Sequence, residues 1–172
     1  IREIGSLANS RVIGTSAVIG SMVASLAGLG ANALSASIEF ESAFAGVRKT
    51  VDATEQQFAE LEKGILNMSK RMPSSAVEIA EVAEAAGQLG IQTDNILAFT
   101  ETMIMLGEST NMTAEQGATQ FARFANIVGM SQKDFDRLGS VVVDLGNNMA
   151  TTEAEIVEMG LRLAGTAKQV GL

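Results

Sequence analysis

The chain has 172 residues, 47% of them apolar, and a formal charge of −8, so it can bury a core and does not read as a disordered tail. It contains no Cys, His, Trp or Tyr, which removes disulfides, the usual zinc, iron–sulfur and haem ligand sets, and thiol or imidazole catalysis. The acidic balance also argues against a general nucleic-acid binder, which needs a basic face to displace counterions.

The chain opens with Ile rather than Met and has no basic segment followed by a cleavage site, so it reads as a piece of something longer. From Val12 to Ile38 there are 27 residues without a charge. Length alone would permit a membrane span, but the many Gly, Ser, Thr and Asn make the run a weak one. Small residues recur at every fourth place, at Ser16, Gly20, Ala24, Gly28, Asn32 and Ala36, a stripe on which another helix backbone can approach closely. A seam alternating by four and three overlaps it, through Ile19, Val23, Leu26, Gly30, Ala33, Ser37, Phe40, Phe44, Val47 and Val51. Residues 1–51 are therefore expected to form a long helix, a coiled-coil or oligomer stalk. Self-association is assigned to Ser16, Gly20, Ala24, Gly28, Val23, Leu26, Phe40, Phe44, Val47 and Val51.

From Asp52 the pattern changes to short, capped helices. Thr54 with Gln57, Ser75 with Glu78, Thr113 with Gln116 and Thr152 with Glu155 have the capping-box spacing. Thr93–Asp94 and Ser131 with Asp134 are looser starts, and Gly90, Gly129 and Gly171 are stops. These signals predict helices near 55–71, 75–89, 94–109, 114–128, 132–148 and 153–170. Apolar stripes run through Phe58, Leu61, Ile65 and Met68, through Phe121, Phe124, Ala125 and Val128, and through Phe135, Leu138, Val142 and Leu145. Helices this short are not stable alone and must pack together. Met68, Met72, Met103, Met105 and Met112 fall on or beside such stripes, as adaptable core filling.

The starts repeat at intervals of 38 and 39 residues, and Phe58, Leu97 and Phe135 stand at the same place four residues after a start. Residues 52–172 thus read as three helical hairpins of about 39 residues. The fold class expected is all-α: the long N-terminal helix, then a bundle of about six short helices.

No catalytic arrangement is found, and neither a P-loop nor G-x-S-x-G nor a calcium-loop pattern occurs. No enzyme activity, cofactor or metal is expected. Between Met72 and Ala122 there are acids but no Lys or Arg. Glu78, Glu81 and Glu84, spaced by three, form either a solvated helix face or a docking face for a basic partner.

Several stretches together resemble the core region of bacteriophage tail tape-measure proteins. They are Phe40-Glu41-Ser42-Ala43-Phe44 with Val47-Arg48, the run from Glu55 to Leu66, Ser75-Ala76-Val77-Glu78-Ile79-Ala80 leading to Glu84-Ala85-Ala86-Gly87-Gln88-Leu89-Gly90, the Ala-rich turn after Gly107, Ala122-Arg123-Phe124-Ala125, and the connection from Asp144 to Glu155. The resemblance departs from the family at Asp52-Ala53-Thr54, where relatives often have Gly; here the seam through Phe40 and Val51 could continue unbroken to Met68. The resemblance implies a long helical oligomer, three-chained, inside the tail tube or tail tip of the virion. It implies tube, tip or baseplate hub, and assembly-chaperone partners, a length that templates tube polymerisation, and ejection that helps DNA through the host envelope with membrane contact on the way. It implies no catalytic residue and no specific nucleic-acid site. Two readings compete: a membrane-active, pore-forming protein, motivated by Val12–Ile38, and a cellular helical-repeat adaptor.

Overall fold

The computed structural model describes residues 31–171, and all regular structure among them is helical. The small-residue positions Ser16, Gly20, Ala24 and Gly28, with Val23 and Leu26, lie outside the described residues. None of the described helices is long and apolar enough to cross a membrane. Internal contacts divide the chain between Glu41 and Ser42. Helix α1, Ala31–Thr50, runs through that division, and in the first unit Ser35 donates to Glu39 at 3.0 Å.

The second unit holds the end of α1 and six more helices. They are α2 (Glu55–Met68), α3 (Ala76–Gln88), α4 (Ile96–Ser109), α5 (Ala114–Val128), α6 (Phe135–Asn148) and α7 (Glu153–Gln169). The seam does not continue as one helix into α2. Helix α1 stops at Thr50, and Thr54, in extended conformation, caps α2 instead. A Thr hydroxyl that can satisfy a free helix N–H favours starting a new helix over continuing the old one.

All four predicted capping boxes form. In each, the side chain of Thr54, Ser75, Thr113 or Thr152 accepts from the backbone N–H three residues on, and the Gln or Glu there accepts from the cap N–H. The looser starts behave differently. Helices α4 and α6 are each approached through one 3-10 turn, Thr93–Asn95 and Gln132–Asp134, so they begin two or three residues later than the spacing suggests. The stops are as expected: Gly90, Gly129 and Gly171 have φ of 78°, 68° and 81°, a region where a Cβ is strained. After the first two, Ile91 N–H donates to Ala86 O and Met130 N–H to Ala125 O, closing the helix ends in the Schellman manner.

From α2 onward each helix packs on the next but one, and the pairs α2–α3, α3–α4, α4–α5 and α6–α7 also pack, so α2, α4 and α6 form one row and α3, α5 and α7 another. The N-caps set the register between them. In the first row they are Thr54, Gln92 and Ser131, and in the second Ser75, Thr113 and Thr152; both rows step by 38 and then 39 residues. Counted from its cap, the first row places Phe58, Ile96 and Phe135 at the fourth position, and Ile65, Met103 and Val142 at the eleventh, all buried. Ile96 therefore takes the place expected for Leu97, which is half-buried, because the chain enters α4 from Gln92 rather than from Thr93.

The core is built from this register. Phe99 and Phe135 meet edge-on with ring centres 4.7 Å apart, and Phe44 meets Phe58 at 6.5 Å, both favourable aromatic geometries. Thr100 is fully buried, and its hydroxyl has no hydrogen-bond partner among the described residues.

Candidate functional site

The acidic run between Met72 and Ala122 becomes a surface feature when α3 packs beside the α4–α5 corner. That corner is tight because Gly107 lies against Ala114; a Cβ at Gly107 would be 3.0 Å from the Ala114 nitrogen. Thr110 stabilises the turn, donating to Leu106 O at 2.7 Å and accepting from Met112 N–H at 3.1 Å. The result is a cleft of about 490 Å³ lined by Glu78, Glu81, Glu84, Glu108 and Glu115, with no Lys or Arg in its wall.

Each carboxylate reaches the cleft by a different local route. Glu78 is pinned at the first turn of α3, where its Oε2 accepts from Ser75 N–H at 2.8 Å and from the Ser75 hydroxyl at 3.1 Å. A negative charge there is favoured by the helix dipole. Glu84 is half-buried, accepts from the Gln88 amide at 3.1 Å, and occupies the space above Gly46 of α1. Glu81 and Glu115 are exposed, and Glu108 accepts a long bond of 3.4 Å from Ser74. The structure thus brings Glu78, Glu81 and Glu84 together and adds Glu108 and Glu115 from α4 and α5. The missing cations of residues 72–122 were the signal available in the sequence for those two. Among the described residues no three acidic groups are placed to hold a metal ion.

The other acid of this stretch on α4, Glu101, points away from the cleft and binds Arg71 at 2.5 Å. That hydrogen bond holds the Glu101 carboxyl below its ordinary value. Arg48 likewise pairs with Glu55 at 2.5 Å and lies 4.5 Å over the Phe58 ring, tying the end of α1 to the start of α2.

Of the described seam residues, Phe40, Phe44, Val47 and Val51 are buried, Val47 completely, and Ser37 is half-buried. Phe44 meets Phe58, and Val51 lies beside Gly87 of α3, so these two pack within the second unit. Exposure of large apolar side chains is concentrated instead towards the end of the stack. Val128, Val141, Leu145 and Leu163 are 48%, 54%, 36% and 64% exposed, although Val128 and Leu145 belong to predicted core stripes. Met68, Met103 and Met112 are buried as expected; Met105 is 57% exposed. It lines a groove of about 450 Å³ between α4 and α6, with Thr102, Leu106, Gly139 and Val143.

The joints between hairpins carry a second repeated device. The Thr93 hydroxyl donates to the Asp52 carbonyl at 2.8 Å, and the Gln132 amide donates to the Gly90 carbonyl at 3.1 Å. Thr93 and Gln132 are each the first residue after an N-cap, and Asp52 and Gly90 each stand two residues before the preceding N-cap of the same row. Gln132 also accepts from Gln92 N–H at 2.8 Å and from the Asn95 amide at 3.3 Å.

Comparison with known proteins gives two matches of one kind. Residues 62–172 match the family described as phage-related minor tail protein. The chain is also 24% identical over 168 residues to a probable tape measure protein of Halomonas phage phiHAP-1, an alignment covering 89% of this chain and 20% of the relative. The chain thus spans about a fifth of the length of the curated relative it matches. No solved structure matches.

Proposed function

The chain belongs to the phage-related minor tail protein family, and from that premise we propose that it is a structural segment of a tail tape-measure protein that helps set tail length. The observation that carries this reading is the run of capped hairpins within the matched residues 62–172. The role is scaffolding, as the family match and the repeated capped hairpins support. The protein resides in the virion tail and leaves with the DNA, easing its passage through the host envelope.

In this reading residues 54–171 form three hairpins of one repeated plan, and Ser16, Gly20, Ala24 and Gly28 form the stripe on which chains associate. The cleft of Glu78, Glu81, Glu84, Glu108 and Glu115 docks a basic segment of another tail component. Five carboxylates gathered without a cation favour such a partner, because each would lose repulsion on binding.

In-frame deletion of residues 92–130 from the parent protein tests the length role, with tails measured by electron microscopy. A segment counted as continuous helix shortens the tail by roughly 58 Å, at about 1.5 Å per residue. Hairpins that stay packed shorten it by only about 8–10 Å, one interaxial spacing. Tails of unchanged length would refute a ruler role for this segment.

A further inference from the structure

We propose that the outer face of the α6–α7 hairpin is a docking face for one more helical hairpin of the same register, supplied by the tape-measure polypeptide itself. The proposal rests on the three-hairpin reading and, for its occupant, on the tape-measure reading, but not on a role in setting tail length.

The face follows from the register. Helix α4 meets α6 through Phe99, which meets Phe135 edge-on, and through Thr102, which lies against Gly139. Those residues stand seven and ten places after the cap at Gln92, and Leu106 stands at fourteen. The same places counted from Ser131 are Leu138, Val141 and Leu145. Phe99 and Leu106 are 1% and 2% exposed, whereas Leu138 is only half-buried, and Val141 and Leu145 are open. The second row agrees. Phe124 of α5, eleven places after its cap, lies 3.6 Å from where a Gly160 Cβ would be; the equivalent residue of α7, Leu163, is exposed.

The joint supplies a separate observation. Asp52 and Gly90 each give their carbonyl to a side chain of the next hairpin. The third carbonyl of that series belongs to Gly129, which is exposed and receives no such donor among the described residues. An unspecific sticky patch would not be accompanied by a free acceptor at the repeated place. The occupant is therefore defined by chemistry: a hairpin with a hydrogen-bond donor side chain directly after its N-cap and a large apolar residue at the fourth position. A second copy of this chain does not fit through its α2–α3 hairpin, because Glu55 stands at the donor position and is held by Arg48. The matched relative has room for such a hairpin, since the alignment covers only 20% of it.

The test is a chain in which residues 131–171 are repeated directly after Leu172. That design reproduces the natural spacing of glycine, one residue and N-cap, and brings Gln132 and Phe135 with it. Hydrogen exchange is read on the α6 and α7 amides of the first copy. Docking should slow them about tenfold relative to the 172-residue chain, as expected when a terminal element becomes internal. Leu145→Asp with Leu163→Asp in the first copy should abolish the slowing; both sites are exposed, and circular dichroism of the same variant in the 172-residue chain checks that it still folds. Gln132→Ala in the appended copy should weaken it. The proposal is overturned if the first-copy amides are unchanged, or if the slowing survives the double aspartate variant. It is also overturned if the 172-residue chain dimerises in sedimentation through this face, with Leu145→Asp restoring the monomer. None of these failures touches the tail-length result.

Discussion

Replacing Gln132 by Ala removes three hydrogen bonds at the joint between the second and third hairpins: the acceptors for Gln92 N–H and the Asn95 amide, and the donor to Gly90 O. Each bond contributes a net ~0.5–1.5 kcal/mol, and partial exposure lets water replace some of them, so the expected cost is about 1–2 kcal/mol. For a chain of this size that is a fall in Tm of about 2–8 °C. The loss should be local as well as global. Exchange of the Gln92 amide should accelerate more than that of Ile79 or Met103 in the core, since Gln92 N–H loses its only described acceptor. Gln132→Glu separates the parts, because it keeps both acceptors and loses only the donor to Gly90. It should cost less than alanine at low pH, where the carboxyl can donate again. Thermal denaturation with amide exchange by NMR reads all of this. If Gln132→Ala leaves both Tm and Gln92 exchange unchanged, the joint is held by helix packing alone and the repeated hook has no energetic meaning.

Thr100→Val should raise stability by about 1 kcal/mol, because it removes a buried hydroxyl without a described partner while keeping its shape; a loss in chemical denaturation would show that the hydroxyl is satisfied. Thr113→Ala should cost about 1 kcal/mol, with fraying confined to the start of α5, since only that capping box is broken. Arg71→Ala should change the acid limb of stability. Glu101 has a depressed folded value, so its contribution is present above the ordinary carboxyl value near 4.5 and is lost as pH falls through the lower folded value. Arg71 is exposed, so solvent screens the effect, and a wild-type-like slope below pH 4.5 in the variant would refute the pairing.

What could be read in the sequence was what is encoded locally. A capping box spans four residues, so Thr54, Ser75, Thr113 and Thr152 were legible, as were the three glycines that a left-handed turn requires. The stripe of α2 was legible to the residue, since Phe58, Leu61, Ile65 and Met68 are all buried. Where the helix start depends on a 3-10 turn without a side-chain cap, the reading slipped by one residue, and Leu97 was taken for Ile96. Longer-range features were not legible. Nothing adjacent to Gln132 indicates that it reaches a carbonyl 42 residues earlier. The cleft was visible only as a charge imbalance, because Glu108 and Glu115 join Glu78, Glu81 and Glu84 through packing of α3 on the α4–α5 corner. The break after Thr50 was a contest between a seam that wanted continuity and a cap that ended it, and the sequence held both signals.

The same register explains why exposure at the end of the stack is not ordinary surface. A helix face meant for water reads polar along its stripe, and terminal units of helical repeats are made soluble that way. The fourteenth position reads Met68, Leu106, Leu145: the residue type stays apolar while exposure goes from 2% and 2% to 36%. Leu163 follows a similar course in the second row, after buried Ala86 and half-buried Phe124, whereas Val141 is an exposed apolar residue where the earlier hairpins have Gly64 and Thr102. Covering these three side chains, at their present exposures of 54%, 36% and 64%, would contribute roughly 2–4 kcal/mol, taking about 1.5–3 kcal/mol for each complete burial. That is an upper figure, because part of such surface is covered in any realistic reference state. It is still a sizeable share of the 5–15 kcal/mol that holds a typical domain together. The third hairpin is therefore expected to be the least protected of the three, with its interior-type residues facing outward.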